Sequence, residues 1–248
     1  MTKKTILTLI ISLVLGGGVQ AQSFADAVKD GLSPLTNLVN SAKQSLSADT
    51  VPKKRADKKN IQSLTLKDGT AYVGEMKGKR PNGQGKAIYK NGDVYEGGFV
   101  KGVRDGHGEY CFKDGERYVG EFKDGEQYGY GTFSTTSGAV YEGQWKANVR
   151  SGRGHYKWAN GDEYEGEWAN DMPDGEGSLA MIDGTRYQGT FSKGKYDGKG
   201  IMITPDGVRY EGSFKQGKKH GAFVETDKEG KVIRKGVYKF GNLDVSQK

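Results

Sequence analysis

Three things are scarce in this chain of 248 residues: cysteine, proline and aliphatic mass. A single cysteine, Cys111, excludes a disulfide scaffold and any multi-cysteine metal site. Apolar residues amount to 34%, too few for a thick two- or three-layer core at this length. Long hydrophobic runs are missing too: the longest, from Ile6 to Leu15, is about ten residues, where a bilayer span needs roughly 20. What is abundant is glycine, 40 residues, together with 14 tyrosines, while prolines number only 5. There is no glycine at every third position, which excludes collagen, and the aromatic content of 10% excludes plain disorder. Glycine and aromatics with few Leu and Val predict many short strands and tight turns.

The net charge of +7 suggests nucleic acid only until it is located. Lys3 and Lys4 stand at the extreme N-terminus. Residues 22–60 carry seven Lys/Arg against four Asp, and residues 61–248 hold 29 basic and 27 acidic residues. A DNA- or RNA-binding face needs its charge on the folded part, so nucleic acid is not an expected partner.

The N-terminus reads as an export signal. Two lysines precede the apolar run, which is followed by Gly16-Gly17-Gly18 and Val19-Gln20-Ala21. Small residues at positions −3 and −1 predict signal-peptide cleavage between Ala21 and Gln22. The mature chain is then expected outside the cytoplasm, periplasmic or extracellular, without a membrane-spanning segment. Residues 22–60 read as a linker with one short helix after Pro34. It ends in a basic stretch, Lys53, Lys54, Arg55, Lys58 and Lys59. That stretch is a solvated linker or, alternatively, a lipid contact that holds anionic headgroups at about 1 kcal/mol per basic residue.

From residue 61 onward the chain repeats. Tyr72, Tyr95, Tyr118, Tyr141, Tyr164, Tyr187 and Tyr210 are spaced by 23 residues without a slip. Two past each stands glycine, and four past each a large apolar residue: Met76, Phe99, Phe122, Trp145, Trp168, Phe191 and Phe214. Eleven and thirteen past comes a Gly-x-Gly, broken only by Phe223 in the seventh unit, and twenty past another glycine. These four glycine columns hold 27 of the 40 glycines, so the unusual composition is the repeat itself.

Tyrosine, glycine and Phe/Trp at steps of two share one face of a strand, with Glu96, Glu142, Glu165 and Glu211 on the other. A left-handed turn residue follows seven past the tyrosine, except at Lys79. The second strand is expected to start near the Gly-x-Gly and to carry Ala87, Tyr110, Phe133, Tyr156, Leu179 and Met202 on the inner face. It ends at dipeptides such as Asn91-Gly92 and Asp114-Gly115, which favour the tight two-residue hairpin turn. The result is about 14 strands in an all-β, elongated, twisted single antiparallel sheet of seven 23-residue hairpin units over 61–241, with a tail at 242–248. Residues 61–71 read as a capping strand, and Gly236 to Phe240 as the echo of a first strand.

These columns closely resemble the MORN repeat. "YEGGFVKGVRDGHGEYCFKDGER" (95–117) and "YEGEWANDMPDGEGSLAMIDGTR" (164–186) carry its pattern of an aromatic, a glycine two on, an aromatic four on, a Gly-x-Gly and a closing glycine. The chain is similar to an exported bacterial MORN-repeat protein. The resemblance implies a twisted β-sheet and roles in scaffolding, protein–protein contact and association with membrane lipids.

No catalytic constellation accompanies the repeats. His107, His155 and His220 fall in three different repeat columns, and Cys111 has no adjacent histidine as base. The Gly-x-Gly pairs open strands rather than helices, so they are not phosphate cradles. No enzyme activity, metal or cofactor is expected. The candidate site is instead an aromatic patch: Tyr141, Trp145, Tyr156, Trp158, Tyr164 and Trp168, which either anchor a partner or plug a thin sheet. The leading reading is a non-catalytic exported scaffold that binds another envelope protein. Its alternatives are a phospholipid-surface binder and a glycan or cell-wall binding module.

Overall fold

A computed structural model describes residues 60–245. The signal segment with its Ala21–Gln22 junction and the basic residues Lys53, Lys54, Arg55, Lys58 and Lys59 lie outside the described residues. The described part is all-β: β1 (Ile61–Thr65), β2 (Ala71–Lys77), β3 (Arg80–Ile88), β4 (Val94–Val100), β5 (Val103–Cys111), β6 (Arg117–Lys123), β7 (Glu126–Ser134), β8 (Val140–Lys146), β9 (Val149–Lys157), β10 (Glu163–Ala169), β11 (Met172–Ala180), β12 (Arg186–Ser192), β13 (Lys195–Ile203), β14 (Arg209–Lys215), β15 (Lys218–Thr226), β16 (Val232–Lys239) and β17 (Asn242–Leu243). All 17 strands belong to one antiparallel sheet. Each pairs with its neighbours in sequence, from β1 on β2 to β17 on β16.

The core is one row of rings. The seven repeat tyrosines are the largest fully buried side chains, and each lies along its own strand. The hydroxyl of Tyr72 donates to the Glu75 carbonyl (2.8 Å), Tyr164 to Glu167 (2.9 Å), and the other five likewise to the residue three ahead. Beneath each ring but that of Tyr210, where Phe223 replaces one of them, lie two glycines. A Cβ built on Gly177 would sit 2.5 Å from the Tyr164 hydroxyl oxygen and 2.6 Å from Cε2, and one on Gly166 would sit 2.6 Å from the Gly177 Cα. Gly166 and Gly177 face each other across β10 and β11. The glycine columns two and thirteen past the tyrosine thus exist because its ring occupies the space of their side chains.

The residue four past each tyrosine links one unit to the next. Phe99 meets Tyr95 edge-on (5.1 Å, 84°) and also Tyr72 of the preceding unit (5.3 Å, 88°). Trp145 meets Tyr141 (5.2 Å, 89°) and Tyr118 (5.3 Å, 87°). The zigzag runs unbroken to Tyr210, each edge-to-face contact contributing about 0.5–1.5 kcal/mol beyond its burial. Phe223, which breaks the glycine column, closes the row: its ring stacks on Tyr210 (5.5 Å, 18°) and packs against Tyr238 (4.5 Å).

Two local expectations are corrected. The second strands begin at Arg80 and its equivalents, immediately after the turn, rather than near the Gly-x-Gly. The reason is a bulge: between the pairs Gly74–Gly85 and Met76–Pro81, Glu75 alone faces three residues of β3. The Gly-x-Gly opens at this bulge, where Gly83 has φ 105°. The hairpin turns are also exchanged. The two-residue turn with left-handed φ at both positions lies inside the unit, as at Lys101 (53°) and Gly102 (93°), and not at the Asx-Gly dipeptides. In the turn of the first unit positive φ is confined to Gly78 (63°), which is why Lys79 is tolerated after it. At Asn91-Gly92 only the glycine is left-handed, in a three-residue loop closed by Tyr89 N–H to the Asp93 carbonyl and Gly92 N–H to the Tyr89 carbonyl, both 2.9 Å. Asn91 is used there because its Oδ1 accepts the Asp93 N–H (3.1 Å).

Because Arg186 and Arg209 each precede a repeat tyrosine, deleting 187–209 restores an Arg–Tyr junction with every pairing preserved. That variant is expected to fold as a shorter sheet. Deleting 187–198 removes a strand and its turn, reverses the next strand and should abolish cooperative unfolding beyond β11. Circular dichroism and urea unfolding of both variants check this.

Candidate functional site

The aromatic patch divides into two tiers. Tyr141 and Tyr164 have no exposed surface, and Trp145 and Trp168 retain only 8% and 4%. Both indole N–H groups are satisfied internally, Trp145 by the Gly131 carbonyl and Trp168 by the Gly154 carbonyl, each at 3.1 Å. These four rings belong to the buried row. Tyr156 and Trp158 are half-buried, 4.7 Å apart, with Tyr156 lying 5.9 Å from Trp168. The structure therefore brings the six residues together but leaves only Tyr156 and Trp158 half-exposed.

Those two continue an upper tier that runs across the inner face. Tyr89, Tyr110, Phe112, Phe133 and Tyr196 are likewise half-buried on top of the buried row. Tyr110 stands 5.9 Å from Tyr89 and 4.7 Å from Phe112. Cations are set among the rings: the Arg104 guanidinium lies 4.7 Å from the Tyr110 ring, and that of Arg150 4.7 Å from Trp168. Two hollows open between them. One of about 490 Å³ is bounded by Phe112, Phe133, Trp145 and Tyr156, and one of about 360 Å³ by Trp158, Tyr164, Phe191 and Tyr196. The sequence reading missed Arg104 and Arg150 because it started the second strand after them. They stand nine past the tyrosine, a column whose mixed content (Pro81, Arg104, Gln127, Arg150, Pro173, Tyr196, Lys219) hides it from a search for constant residues.

The loops that bound this face are tied to one another from unit to unit. Asp93 accepts the Tyr110 hydroxyl (2.6 Å), the Lys113 N–H (2.9 Å) and the Asn91 amide (2.7 Å). Burial opposes its ionisation, but these hydrogen bonds together hold its carboxyl below the usual carboxylate range. At the last unit the inner column carries Glu225, buried and gripped by Lys219 (3.0 Å) and Arg234 Nε (2.6 Å). That ion pair puts charge where every earlier unit places an apolar side chain.

The opposite face is polar. Glu96, Glu142, Glu165 and Glu211 are exposed, with ion pairs such as Lys86–Glu96 (3.1 Å) and Arg209–Glu211 (2.6 Å). Exposed pairs of this kind contribute about 0–1 kcal/mol. The histidines remain apart: His107 is exposed, His155 lies 3.6 Å from Glu163, and His220 packs on Phe240. Cys111 donates to Glu109 (3.3 Å), and burial, with that carboxylate beside it, pushes its thiol up to about 11. A thiol so placed is no nucleophile at neutral pH. Among the described residues no three His, Cys, Asp or Glu side chains are grouped to hold a metal, and no helix is long and apolar enough to cross a membrane.

A model of the MORN repeat matches the chain seven times, over residues 72–94, 95–117, 118–140, 141–163, 164–186, 187–209 and 210–222. No curated protein matches it in sequence. Among solved structures, the chain is similar to the SAS-4 (dCPAP) TCP domain of Drosophila melanogaster in complex with a proline-rich motif of Ana2, at 13% identity and TM-score 0.36, over 67% of this chain and 97% of that one. It is similar also to the CPAP G-box domain, at 12% identity and TM-score 0.40, over 73% and 100%. A third likeness is to virginiamycin B lyase of Staphylococcus aureus, at 14% identity and TM-score 0.16, over 74% and 57%.

Burial raises the hydroxyl pKa of every repeat tyrosine, to about 12 for Tyr210 and further for the other six. A pKa raised in the folded state gives stability that is full below the ordinary value near 10 and lost as pH climbs above it. Between pH 10 and 12 the sheet is therefore expected to unfold cooperatively. The seven repeat tyrosines, half of the 14, should add their tyrosinate absorbance near 295 nm only together with loss of circular dichroism; ionisation of all 14 ahead of unfolding would contradict the burial of the column.

Proposed function

The chain belongs to the MORN-repeat family, and from that membership we propose that it is a non-catalytic, exported scaffold that holds another envelope protein against the aromatic face of its sheet. Repeats of this family serve protein and membrane interaction. The observation that carries the reading is the upper tier. The buried row already completes the core, yet Tyr89, Tyr110, Phe112, Phe133, Tyr156 and Trp158 stand half-open above it. Tyrosine, tryptophan and arginine are the residue types that dominate protein-binding surfaces, because they offer large area at low conformational cost. The acidic and basic residues of the other face alternate and are solvated, which favours no such partner. Export rests on the N-terminal signal pattern, and the basic residues Lys53, Lys54, Arg55, Lys58 and Lys59 offer a secondary hold on anionic headgroups.

The repeat supplies its own control substitution. Thr135 and Thr204 occupy, in the third and sixth units, the position held by Tyr89, Phe112 and Trp158 in the first, second and fourth. The triple variant Tyr89→Thr, Phe112→Thr, Trp158→Thr is therefore expected to fold with a melting temperature within about 5 °C of native. In the envelope fraction of an expressing bacterium, where the protein should begin at Gln22 by intact mass, crosslinking captures the partner. Capture should weaken about tenfold or more in the triple variant and persist in Glu96→Gln, Glu142→Gln, Glu165→Gln. Equal capture by the triple variant contradicts the surface. Retained Met1, salt-sensitive binding to anionic vesicles without a protein partner, or retention on polysaccharide resin contradicts the exported protein-scaffold reading.

A further inference from the structure

The position nine past each tyrosine reaches into a cell of rings, and two of the cells show what fits there. Arg104 enters the cell of the second unit, 4.7 Å from the Tyr110 ring, 5.5 Å from Phe122 and 5.8 Å from Tyr95, and its Nη2 donates to the Gly125 carbonyl (2.6 Å). Arg150 repeats the arrangement in the fourth unit, 4.7 Å from Trp168, 5.3 Å from Tyr156 and 5.6 Å from Tyr141, with Nη2 on the Asp171 carbonyl (2.8 Å). The third unit, between them, has the same walls: Tyr118, Phe133 and Trp145 stand at the three equivalent positions, and Asn148 at that of the donor-accepting carbonyl. Its ninth residue is Gln127, and the hollow of about 490 Å³ opens at this place.

We propose that this third cell binds the guanidinium of an arginine side chain presented by the partner. The proposal rests on the aromatic face being the binding surface. Arginine fits this cell best, since its planar cation stacks on rings while its N–H groups meet a carbonyl in the same plane; the ammonium of Lys219, 4.1 Å from the Tyr210 ring in the seventh unit, is held by its charge and cannot stack. Charge permits it. The new cation would stand two strands, about 10 Å, from Arg104 and from Arg150, which is about one screening length at physiological salt. Arg150 lines the hollow as well, but with the Asp171 carboxylate bonded to its Nε (3.0 Å), so that wall presents an ion pair rather than a bare cation.

The test uses the full chain, with N-acetyl-arginine amide as probe and the indole N–H resonance of Trp145 as readout. The arginine probe should shift this resonance saturably, with affinity about tenfold above the neutral isostere N-acetyl-citrulline amide and about threefold above the lysine analogue. Gln127→Arg rebuilds the arrangement of Arg104 and Arg150 within the third cell and should abolish the shift while the sheet stays folded. Phe133→Leu, the residue found at Leu179 two units on, should weaken binding about threefold or more. Equal affinity for the citrulline probe, no saturable shift, or unchanged binding to Gln127→Arg overturns the proposal. The two readings also fail separately. If Gln127→Arg captures the partner as well as the native chain while the threonine triple variant does not, the cell is wrong and the surface stands. If neither variant changes capture, the surface itself is wrong.

Discussion

A tyrosine ring laid flat along its own strand needs bare backbone beneath it and a carbonyl at its tip. The carbonyl is supplied seven times here and the bare backbone six, Phe223 replacing the facing glycine in the last unit, and most other features of the sheet follow. Bare backbone means glycine two past the tyrosine and glycine on the facing strand, as Gly166 and Gly177 lie under Tyr164. The carbonyl belongs to the residue three past the tyrosine, at the point where pairing within the unit shifts register. The hydroxyl thus satisfies a backbone group at the bulge, where an unpaired buried carbonyl would be costly. Ring, glycine pair and bulge are one device and stand or fall together.

That device also separates the two faces of a sheet too thin to have a second layer. With the tyrosine folded flat, the Phe or Trp four residues on can reach across to the tyrosine of the preceding unit, so the row is continuous and each unit depends mainly on its neighbours. The upper tier sits above this row and varies from unit to unit: Tyr110, Phe133, Tyr156 and Leu179 share one column, and Arg104, Gln127, Arg150 and Pro173 another. Constancy below and variation above is the arrangement expected when one row supports the fold and the other meets a particular partner. Glu225, held by Lys219 and Arg234, ends the apolar column with charge before the last full strand.

Much of this was legible in the sequence because a period of two within strands and a period of 23 between units leave the same residue types in the same columns. Tyr72, Gly74 and Met76 declared a strand face in every unit, and the burial of that face agrees. What alternation could not show was the bulge, since a residue such as Gly83 looks like any strand-opening glycine until pairing across it is known. Starting the second strand there hid Arg104 and Arg150. The turns were exchanged for a similar reason: Asn-Gly satisfies both a left-handed pair and a loop in which only the glycine is left-handed, and the choice depends on the Asn91 side chain capping Asp93. Around Trp145 and Trp168, sequence alone could not tell rings that plug the row from Tyr156 and Trp158 above it.

The central claim is the coupling of ring to glycine, and a double-mutant cycle at Tyr164 and Gly177 tests it most directly. Gly177 is not in the left-handed region, so alanine there is strained only by what it meets. Urea unfolding should show Gly177→Ala costing about 3 kcal/mol in the native background, through overpacking against the ring. In the Tyr164→Ala background the same substitution should cost under about 1 kcal/mol, a coupling of about 2 kcal/mol. Additive costs in the two backgrounds would mean that the glycine columns do not exist for the tyrosines, and the account would fail.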